Sequence, residues 1–201
     1  MKALIIVDIQ HDFLPGGALE VAHGDQVIPV VNQLQDQFPL VVATQDWHPE
    51  KHGSFASAHP GKQVFDTIDL QGLDQILWPD HCIQGSEGAS FPKELNHERI
   101  EAIFRKGLDP MIDSYSGFFD NGRKKSTGLT GYLRAKGVDE VFICGLAGDF
   151  CVAYTTLDAI SEGFKTWLIK DATRPIDKDG FDSMISNIVE KGGYVVTSDS
   201  L

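Results

Sequence analysis

Leu4-Ile5-Ile6-Val7-Asp8 is an apolar run, rich in β-branched residues, that ends in a carboxylate. Runs of this composition, bounded by polar residues, are typical of buried strands. Similar runs recur along the chain and alternate with longer amphipathic stretches. That alternation is the pattern of a parallel sheet with helices on both faces. The sequence therefore predicts an α/β fold.

The pattern predicts six strands and four helices in a mainly parallel arrangement. The strands are expected at residues 3–7, 40–44, 101–104, 140–144, 166–169 and 194–197. The helices are expected at residues 25–37, 127–136, 149–162 and 180–191, with Asp179 as the N-cap of the last one. Because no linker, repeat or change of composition interrupts the chain, we expect a single domain over residues 1–201.

The composition narrows the range of functions. The apolar content of 42% is ordinary for a globular protein. The 17 basic and 29 acidic residues give a net charge of −12 without a basic block, which argues against a nucleic-acid surface. No apolar stretch approaches the roughly 18 residues of a membrane span. The apolar run before Asp8 is too short for a signal peptide.

The cysteine content indicates the compartment. The chain has three cysteines, an odd number without a close pairing motif: Cys82, Cys144 and Cys151. A disulfide framework is therefore not expected. We expect a cytoplasmic protein with reduced thiols.

An acid, a base and a thiol lie close to the ends of separate apolar runs. Asp8 ends the first run, Lys106 ends a later one, and Cys151 follows a third through a short turn that contains glycine. Since the run ends of a parallel sheet lie along one edge, where open α/β folds bind ligands, the three side chains could meet there. The combination favours covalent catalysis by Cys151, with Lys106 holding the carboxylate ionised.

Each of these residues also has a simpler interpretation. Cys151 lies near a predicted helix start, which would lower the pKa of its thiol and offer N–H groups to an oxyanion. A cysteine can equally be a buried structural residue, an interpretation that suits Cys144. Asp8 alone could cap a loop, and Lys106 alone could be a solvated surface residue. Only their joint placement favours catalysis.

Residues 45–96 form an unusually long irregular segment, which separates the second and third predicted strands. It holds four of the seven histidines and four prolines. A segment of this length inside a compact domain usually has a function. In Asp46-Trp47-His48, the two polar side chains can point the same way from an extended backbone.

The same segment contains His81, in Trp78-Pro79-Asp80-His81-Cys82. One carboxylate and two imidazoles, from Asp46, His48 and His81, suit zinc, iron or manganese and leave positions open for water or substrate. His52 could add a further ligand, and Cys82 a soft one. The alternative is that these are ordinary loop histidines.

Several motifs resemble those of nicotinamidases among the isochorismatase-like hydrolases. They are, in order, Val7-Asp8-Ile9-Gln10-His11-Asp12-Phe13, the segment from Thr44 to Phe55, Trp78-Pro79-Asp80-His81-Cys82, Arg105-Lys106-Gly107, and the segment from Gly145 to Cys151. The resemblance covers essentially the whole chain. The first and last motifs are shared by the wider superfamily, whereas Asp-x-His with Trp-Pro-x-His is more specific to nicotinamidases.

The resemblance implies a Rossmann-like sheet of six strands and hydrolysis of nicotinamide to nicotinate and ammonia in NAD salvage. It implies a triad of Asp8, Lys106 and Cys151, with the backbone N–H groups of Ala147 and Cys151 as the oxyanion hole. It further implies a cis peptide before Ala147.

The resemblance also implies a substrate and metal site. A divalent metal, usually zinc, would lie on Asp46, His48 and His81, with His52 as a further ligand in some members. Aromatic side chains would hold the flat ring by stacking, and the candidates are Phe13, Trp78 and Tyr115. The oligomeric state stays open, and a homo-oligomer is one of the options.

Three other functions remain in competition. An amide or ureido hydrolase of the same superfamily would share the triad but generally lack the metal set. A metal-dependent binding or redox-sensing protein would oxidise its thiol and release no ammonia. A purely structural subunit would leave the histidine-bearing segment unexplained. Isochorismatase itself is disfavoured, because its ether hydrolysis does not need a cysteine and Cys151 is present.

Overall fold

The computed structural model describes residues 1–201. Eight strands occur in chain order: β1 Lys2–Val7, β2 Leu40–Asp46, β3 Thr67–Leu70, β4 Leu73–Ile76, β5 Ile100–Lys106, β6 Glu140–Leu146, β7 Lys165–Arg174 and β8 Tyr194–Val196. Four α-helices connect them: α1 Val27–Gln35, α2 Leu129–Ala135, α3 Ala153–Ser161 and α4 Lys178–Glu190. None of these helices is long and apolar enough to cross a membrane.

Six strands form one sheet in the order β5-β2-β1-β6-β7-β8, and every neighbouring pair is parallel. The predicted α/β fold with a six-stranded sheet is confirmed. Strand β1 lies in the middle, and the chain winds away from it in both directions. In open sheets the ligand crevice lies outside the carboxyl ends of the strands at such a switch point.

The alternation of side chains along β1 divides the core into two layers. Leu4 and Ile6 face the layer that contains α1, whereas Ile5 and Val7 face the layer that contains α2, α3 and α4. Helix α1 contributes apolar residues at the spacing of one helical face, namely Val27, Val31 and Leu34. Helices therefore cover both faces of the sheet, as the alternating pattern predicts.

The long irregular segment contains structure that the sequence analysis did not predict. Strands β3 and β4 form an antiparallel hairpin, with Gln71 and Gly72 in the turn. Both turn residues have positive φ, 57° and 82°, as two-residue hairpin turns require. The strands have four residues each, so their apolar pattern is too short to stand out.

Two predicted helix starts are wrong. The α-helix that follows β6 begins at Ala153 instead of residue 149, because a π-helical turn, Gly148–Val152, precedes it. The N-cap of α4 is Asp177, whose carboxylate accepts a hydrogen bond from the Gly180 N–H at 2.7 Å. Asp179 lies inside the first turn, where an acidic side chain suits the helix dipole without capping it.

Candidate active site and metal centre

The structure brings together the acid, the base and the thiol of the sequence analysis. Lys106 Nζ lies 2.9 Å from Asp8 Oδ2 and 3.4 Å from Cys151 Sγ. Asp8 and Lys106 stand where β1 and β5 end, while Cys151 lies in the turn after β6. All three side chains are buried. They meet because parallel strands bring their carboxyl ends to one edge of the sheet.

Lys106 sits between two carboxylates. Its ammonium group lies 3.0 Å from Asp46 Oδ1, in addition to Asp8, and donates to the Ser114 carbonyl at 2.9 Å. Burial alone would lower the pKa of Lys106, but Asp46 and Asp8 outweigh it and hold the pKa well above its ordinary value. The ammonium therefore stays charged at neutral pH.

Asp8 is prepared to take a proton. Burial raises its pKa, Lys106 opposes that effect, and Asp46 adds to it. The Thr44 hydroxyl donates to Asp8 Oδ1 at 2.6 Å and orients the carboxylate. A carboxyl group whose pKa is raised is a better general base toward a thiol than an ordinary surface aspartate.

The expected lowering of the thiol pKa at a helix start is wrong. Burial raises the pKa of Cys151 well above its ordinary value, although Lys106 opposes the shift. Cys151 lies within the π-helical turn, two residues before the α-helix begins at Ala153. The thiol is thus protonated in the resting protein, and a nucleophilic thiolate requires proton transfer to a neighbour.

The turn before Cys151 exposes a backbone donor. The peptide bond Leu146–Ala147 is cis, as the resemblance implies. The Ala147 N–H has no hydrogen-bond acceptor within the protein, and Ala147 lines the same cavity as Cys151. Such a free N–H beside a nucleophile can stabilise an oxyanion.

Asp46, His48 and His81 form a group whose ligand atoms lie within 4.8 Å of one another. Asp46 Oδ2 is 3.1 Å from His48 Nε2 and 3.5 Å from His81 Nε2. Burial would raise the pKa of Asp46, but His48 and Lys106 hold it well below the ordinary value. The carboxylate is therefore ionised, as a metal ligand must be.

The hydrogen bonds around the two imidazoles fit a metal. His48 Nδ1 bonds to the Gly107 carbonyl at 3.0 Å, and His81 Nδ1 bonds to the Pro79 carbonyl at 2.8 Å. Because a carbonyl can only accept, each Nδ1 carries a proton, which makes Nε2 the metal-binding atom of the neutral ring. His48 Nε2 is buried, and its 3.1 Å approach to Asp46 Oδ2 does not have the geometry of a hydrogen bond, so the atom has no hydrogen-bond partner. This orphaned atom is what a metal-binding site predicts.

Gly107 packs closely against His48. Its φ is +67°, and an added Cβ would lie 2.4 Å from His48 Cε1. Only glycine can bring its carbonyl to His48 with this backbone conformation.

His52 differs from the other two imidazoles. Its Nε2 bonds to the Asp109 carbonyl at 2.8 Å, and its Nδ1 bonds to the Ser54 hydroxyl at 2.7 Å. The first bond places the proton on Nε2, so Nδ1 accepts from Ser54. Burial, with the nearby His48, lowers the pKa of His52 to about 4. Both nitrogens of His52 therefore have hydrogen-bond partners in this arrangement. His52 also forms a second group with His48 and Asp113, whose ligand atoms lie within 4.8 Å of one another. The role of His52 as a further metal ligand stays a prediction.

A cavity of about 320 Å³ connects the thiol with the metal group. The predicted ring-binding residues Phe13, Trp78 and Tyr115 all line it. The ring centroids of Trp78 and Tyr115 lie 6.2 Å apart in an edge-to-face arrangement. Eight of the 11 lining residues are hydrophobic, so the cavity suits a flat, mostly apolar molecule.

Four lining residues were missed by sequence reasoning: Leu19, Asp113, Phe150 and Ile176. Phe150 could have been noticed as the neighbour of Cys151, since it packs 4.9 Å from the Trp78 ring. Asp113 is buried and accepts hydrogen bonds from the Ser114 N–H and from Gln75 Nε2. No local pattern identifies it, because its place depends on the path of the long segment.

Hydrogen bonds to Asp149 hold Ile176 at the cavity. The Asp149 carboxylate accepts from the N–H groups of Ile176 and Asp177, each at 2.9 Å. Asp149 thus ties the loop after β7 to the turn that holds Cys151.

The fold and the site define an enzyme of the α/β class whose candidate nucleophile is a cysteine at the carboxyl edge of a parallel sheet. The isochorismatase domain family matches residues 2–200, and the chain belongs to that family. Among characterised relatives, the nicotinamidase of Acinetobacter baylyi is 51% identical over 178 residues, covering 89% of this chain and 83% of the relative. The nicotinamidase of Escherichia coli is 47% identical, covering 90% and 87%.

Solved structures agree with this assignment. A nicotinamidase/pyrazinamidase of Acinetobacter baumanii superposes with a TM-score of 0.97 at 48% identity, covering 99% of this chain and 97% of the other. A structure from L. infantum in complex with nicotinate has a TM-score of 0.88 at 39% identity, covering 100% and 94%. The pyrazinamidase of Pyrococcus horikoshii in complex with zinc has a TM-score of 0.80 at 37% identity, covering 98% of each chain.

Proposed function

We propose that this protein is a metal-dependent nicotinamidase, which hydrolyses nicotinamide to nicotinate and ammonia in NAD salvage. The observation that carries the proposal is one cavity that joins Cys151, 3.4 Å from Lys106 Nζ, to the candidate ligands Asp46 and His81. The nicotinamidase relatives and the nicotinate complex of the L. infantum protein support the substrate.

We propose Asp46, His48 and His81 as the ligands of one divalent ion, with zinc as the preferred metal and iron or manganese as alternatives. The ionised carboxylate and the two available Nε2 atoms support this set, as does the zinc complex of the Pyrococcus horikoshii protein. An ion held by these three residues would supply a Lewis acid toward the pyridine nitrogen of the substrate.

Binding of the substrate follows from the aromatic lining. The pyridine ring would pack among Phe13, Trp78 and Tyr115, with its carboxamide directed toward Cys151. Such positioning can supply several kcal/mol of barrier reduction, roughly 7 to 11 at best.

Acylation would begin with transfer of the Cys151 proton to Asp8. The thiolate attacks the carboxamide carbon, and the oxyanion is held by the backbone N–H groups of Ala147 and Cys151. Losing one such donor typically costs about 2.7–4 kcal/mol. Asp8 then returns the proton to the departing ammonia, which leaves a thioester on Cys151.

Deacylation would use the same groups. Asp8, ionised again and held by Lys106, takes a proton from a water molecule that attacks the thioester carbon. The tetrahedral intermediate collapses, and Asp8 returns its proton to the sulfur of Cys151. The nicotinic acid that forms loses its carboxyl proton to solvent and leaves as nicotinate. Lys106 keeps its charge throughout, since its pKa lies well above the working range.

We further propose that residues 1–201 act as a single hydrolase domain, whose long segment 45–96 supplies the metal ligands. Its three free cysteines support a reducing compartment, and we propose the cytoplasm. A homo-oligomer remains an option, whereas no role in nucleic-acid or membrane binding is proposed.

The test is an assay of ammonia release from nicotinamide. We expect turnover by the metal-replete protein, loss of turnover with a chelator and recovery when zinc is restored. Cys151→Ala should abolish release while leaving metal binding intact. A metal-replete wild-type protein that leaves nicotinamide unchanged would refute the proposed function.

A further inference from the structure

Gln10 is a fully buried amide that contacts the backbone of Asp46. Its Nε2 donates to the Asp46 carbonyl at 2.8 Å, and its Oε1 accepts from the Asp46 N–H at 2.8 Å. The second Nε2 proton goes to the Ala89 carbonyl at 2.9 Å. One side chain thus satisfies both backbone polar groups of a candidate metal ligand and ties them to a third segment.

The sheet explains why Asp46 needs such a partner. Strand β1 pairs with β2 only as far as Ile6 with Ala43, whereas β2 continues to Asp46. On the other side, the Trp47 N–H bonds to the Lys106 carbonyl at 2.9 Å, so Asp46 turns its backbone groups toward the missing β1 partner. The Gln10 amide fills that place, because its donor and acceptor match those of a peptide group.

The orientation of Asp46 matters to both halves of the site. Its Oδ1 lies 3.0 Å from Lys106 Nζ, and its Oδ2 faces His48 and His81. We propose that Gln10 is a positioning residue, which fixes the Asp46 backbone so that the two carboxylate oxygens face the lysine and the metal group respectively. This inference rests on the proposed role of Asp46 as a metal ligand.

Gln10 also connects Asp46 to Asp8, the proposed general base, and to Phe13, one of the proposed ring-binding residues. Its backbone N–H donates to the Asp8 carbonyl at 2.8 Å, and its carbonyl accepts from the Phe13 N–H at 3.0 Å. The segment that carries Asp8 and Phe13 is therefore joined to Asp46, the candidate metal ligand, through the side-chain amide of Gln10.

Two substitutions separate this role from simple packing. Gln10→Met keeps the approximate length of the side chain but removes all three hydrogen bonds. Gln10→Glu keeps the acceptor for the Asp46 N–H but turns a carboxylate oxygen toward the carbonyls of Asp46 and Ala89. Outer residues of this kind typically change metal affinity by about 10- to 100-fold.

Gln45→Met is the matched control. Gln45 is also buried and precedes Asp46 in the same strand, and its Nε2 donates to the same Ala89 carbonyl at 2.9 Å. Its Oε1 accepts from Arg105 Nε at 3.1 Å. Its side chain makes no hydrogen bond to Asp46. Any loss caused by removing one donor to the Ala89 carbonyl, or by disturbing the strand end, should therefore be shared by both substitutions.

The experiment measures zinc affinity by competition with a chromogenic chelator, the absorption spectrum of bound Co²⁺, and the alkylation rate of Cys151 in metal-free protein. We expect about 10- to 100-fold weaker zinc binding and an altered Co²⁺ spectrum for Gln10→Met and Gln10→Glu. Gln45→Met should match the wild type in both, and all variants should retain Cys151 alkylation.

The outcomes are distinguishable. If wild type binds no zinc, the proposed metal site fails. If wild type binds zinc and folded Gln10→Met binds it equally well, the positioning role of Gln10 is wrong. Should Gln10→Met not fold, Gln10→Glu carries the same comparison. If neither folds, or if Gln45→Met loses as much affinity, Gln10 is structural and the inference is overturned.

Discussion

Lys106 is the residue on which the electrostatics of the site depend. One buried ammonium lies within 3.0 Å of a carboxylate oxygen of Asp8 and of Asp46, and near the Cys151 thiol. The buried carboxylates of Asp8 and Asp46 would repel each other without a cation between them, and Asp46 already raises the pKa of Asp8. Lys106 thereby links the candidate base to the candidate metal ligand.

Replacing Lys106 with Met should therefore change the pKa of Asp8 more than the folded structure of the pocket. We expect kcat/KM to fall by about 10²-fold or more, as when general-base catalysis is lost. Burial already raises the pKa of Asp8, and removal of its counter-ion raises it further. Asp8 is then protonated up to a higher pH, so activity on the acidic side should be lost at higher pH than in wild type.

The measurement is the pH profile of kcat/KM for Lys106→Met. Lys93→Met serves as control, because the Lys93 side chain is 91% exposed and should leave the profile unchanged. If Lys106→Met has the same kcat/KM as wild type and loses activity at the same acidic pH, the ammonium has no role in holding Asp8 ionised.

Residues at strand ends were the most predictable part of the site. Asp8 and Lys106 end apolar runs and Asp46 follows the second predicted strand, and the geometry of a parallel sheet brings such ends together. The state of Cys151 was not predictable, because its pKa depends on burial by distant segments. The same holds for His52, whose partner Asp109 is 57 residues away.

At the scale of elements, the strands were predicted better than the turns between them. Apolar runs have a period and a length that mark buried strands, whereas β3, β4 and the π-helical turn lack a comparable signal. The turn that follows β6 matters most for the proposed function, because it contains Cys151, the proposed nucleophile. There Gly145 adopts φ +122°, directly beside Val7 of β1.

Gly145→Ala should destabilise the protein strongly. An added Cβ would lie 2.1 Å from the Val7 carbonyl oxygen, so backbone must move in a region of φ that L-residues avoid. We expect the free energy of unfolding to fall by roughly 3 kcal/mol, measured by urea denaturation.

Gly131→Ala provides the contrast. Gly131 lies inside α2, where an added Cβ would meet nothing within 4 Å. Alanine should raise the free energy of unfolding by roughly 0.5–1 kcal/mol, because it restricts the unfolded chain and suits a helix. Equal effects of the two substitutions would mean that the Gly145 conformation carries no constraint.

At the scale of the whole molecule, the strand order places the site. Because β1 is flanked by β2 on one side and β6 on the other, Asp8 at its end faces both Asp46 and the turn that holds Cys151. The long segment then lays His81 and Trp78 over the same edge. Its path could not be predicted from its sequence, since short strands and loops are fixed by contacts with the rest of the fold.

The central claim is that the carbonyl carbon of the substrate becomes bonded to Cys151 during turnover. Acid quench of the metal-replete protein during turnover of nicotinamide, followed by peptide mass spectrometry, tests it directly. The account predicts a pyridine-3-carbonyl group in place of hydrogen on the Cys151 peptide, absent from Cys151→Ala. Release of ammonia without an adduct on wild-type Cys151, or with an adduct on another residue, would contradict it.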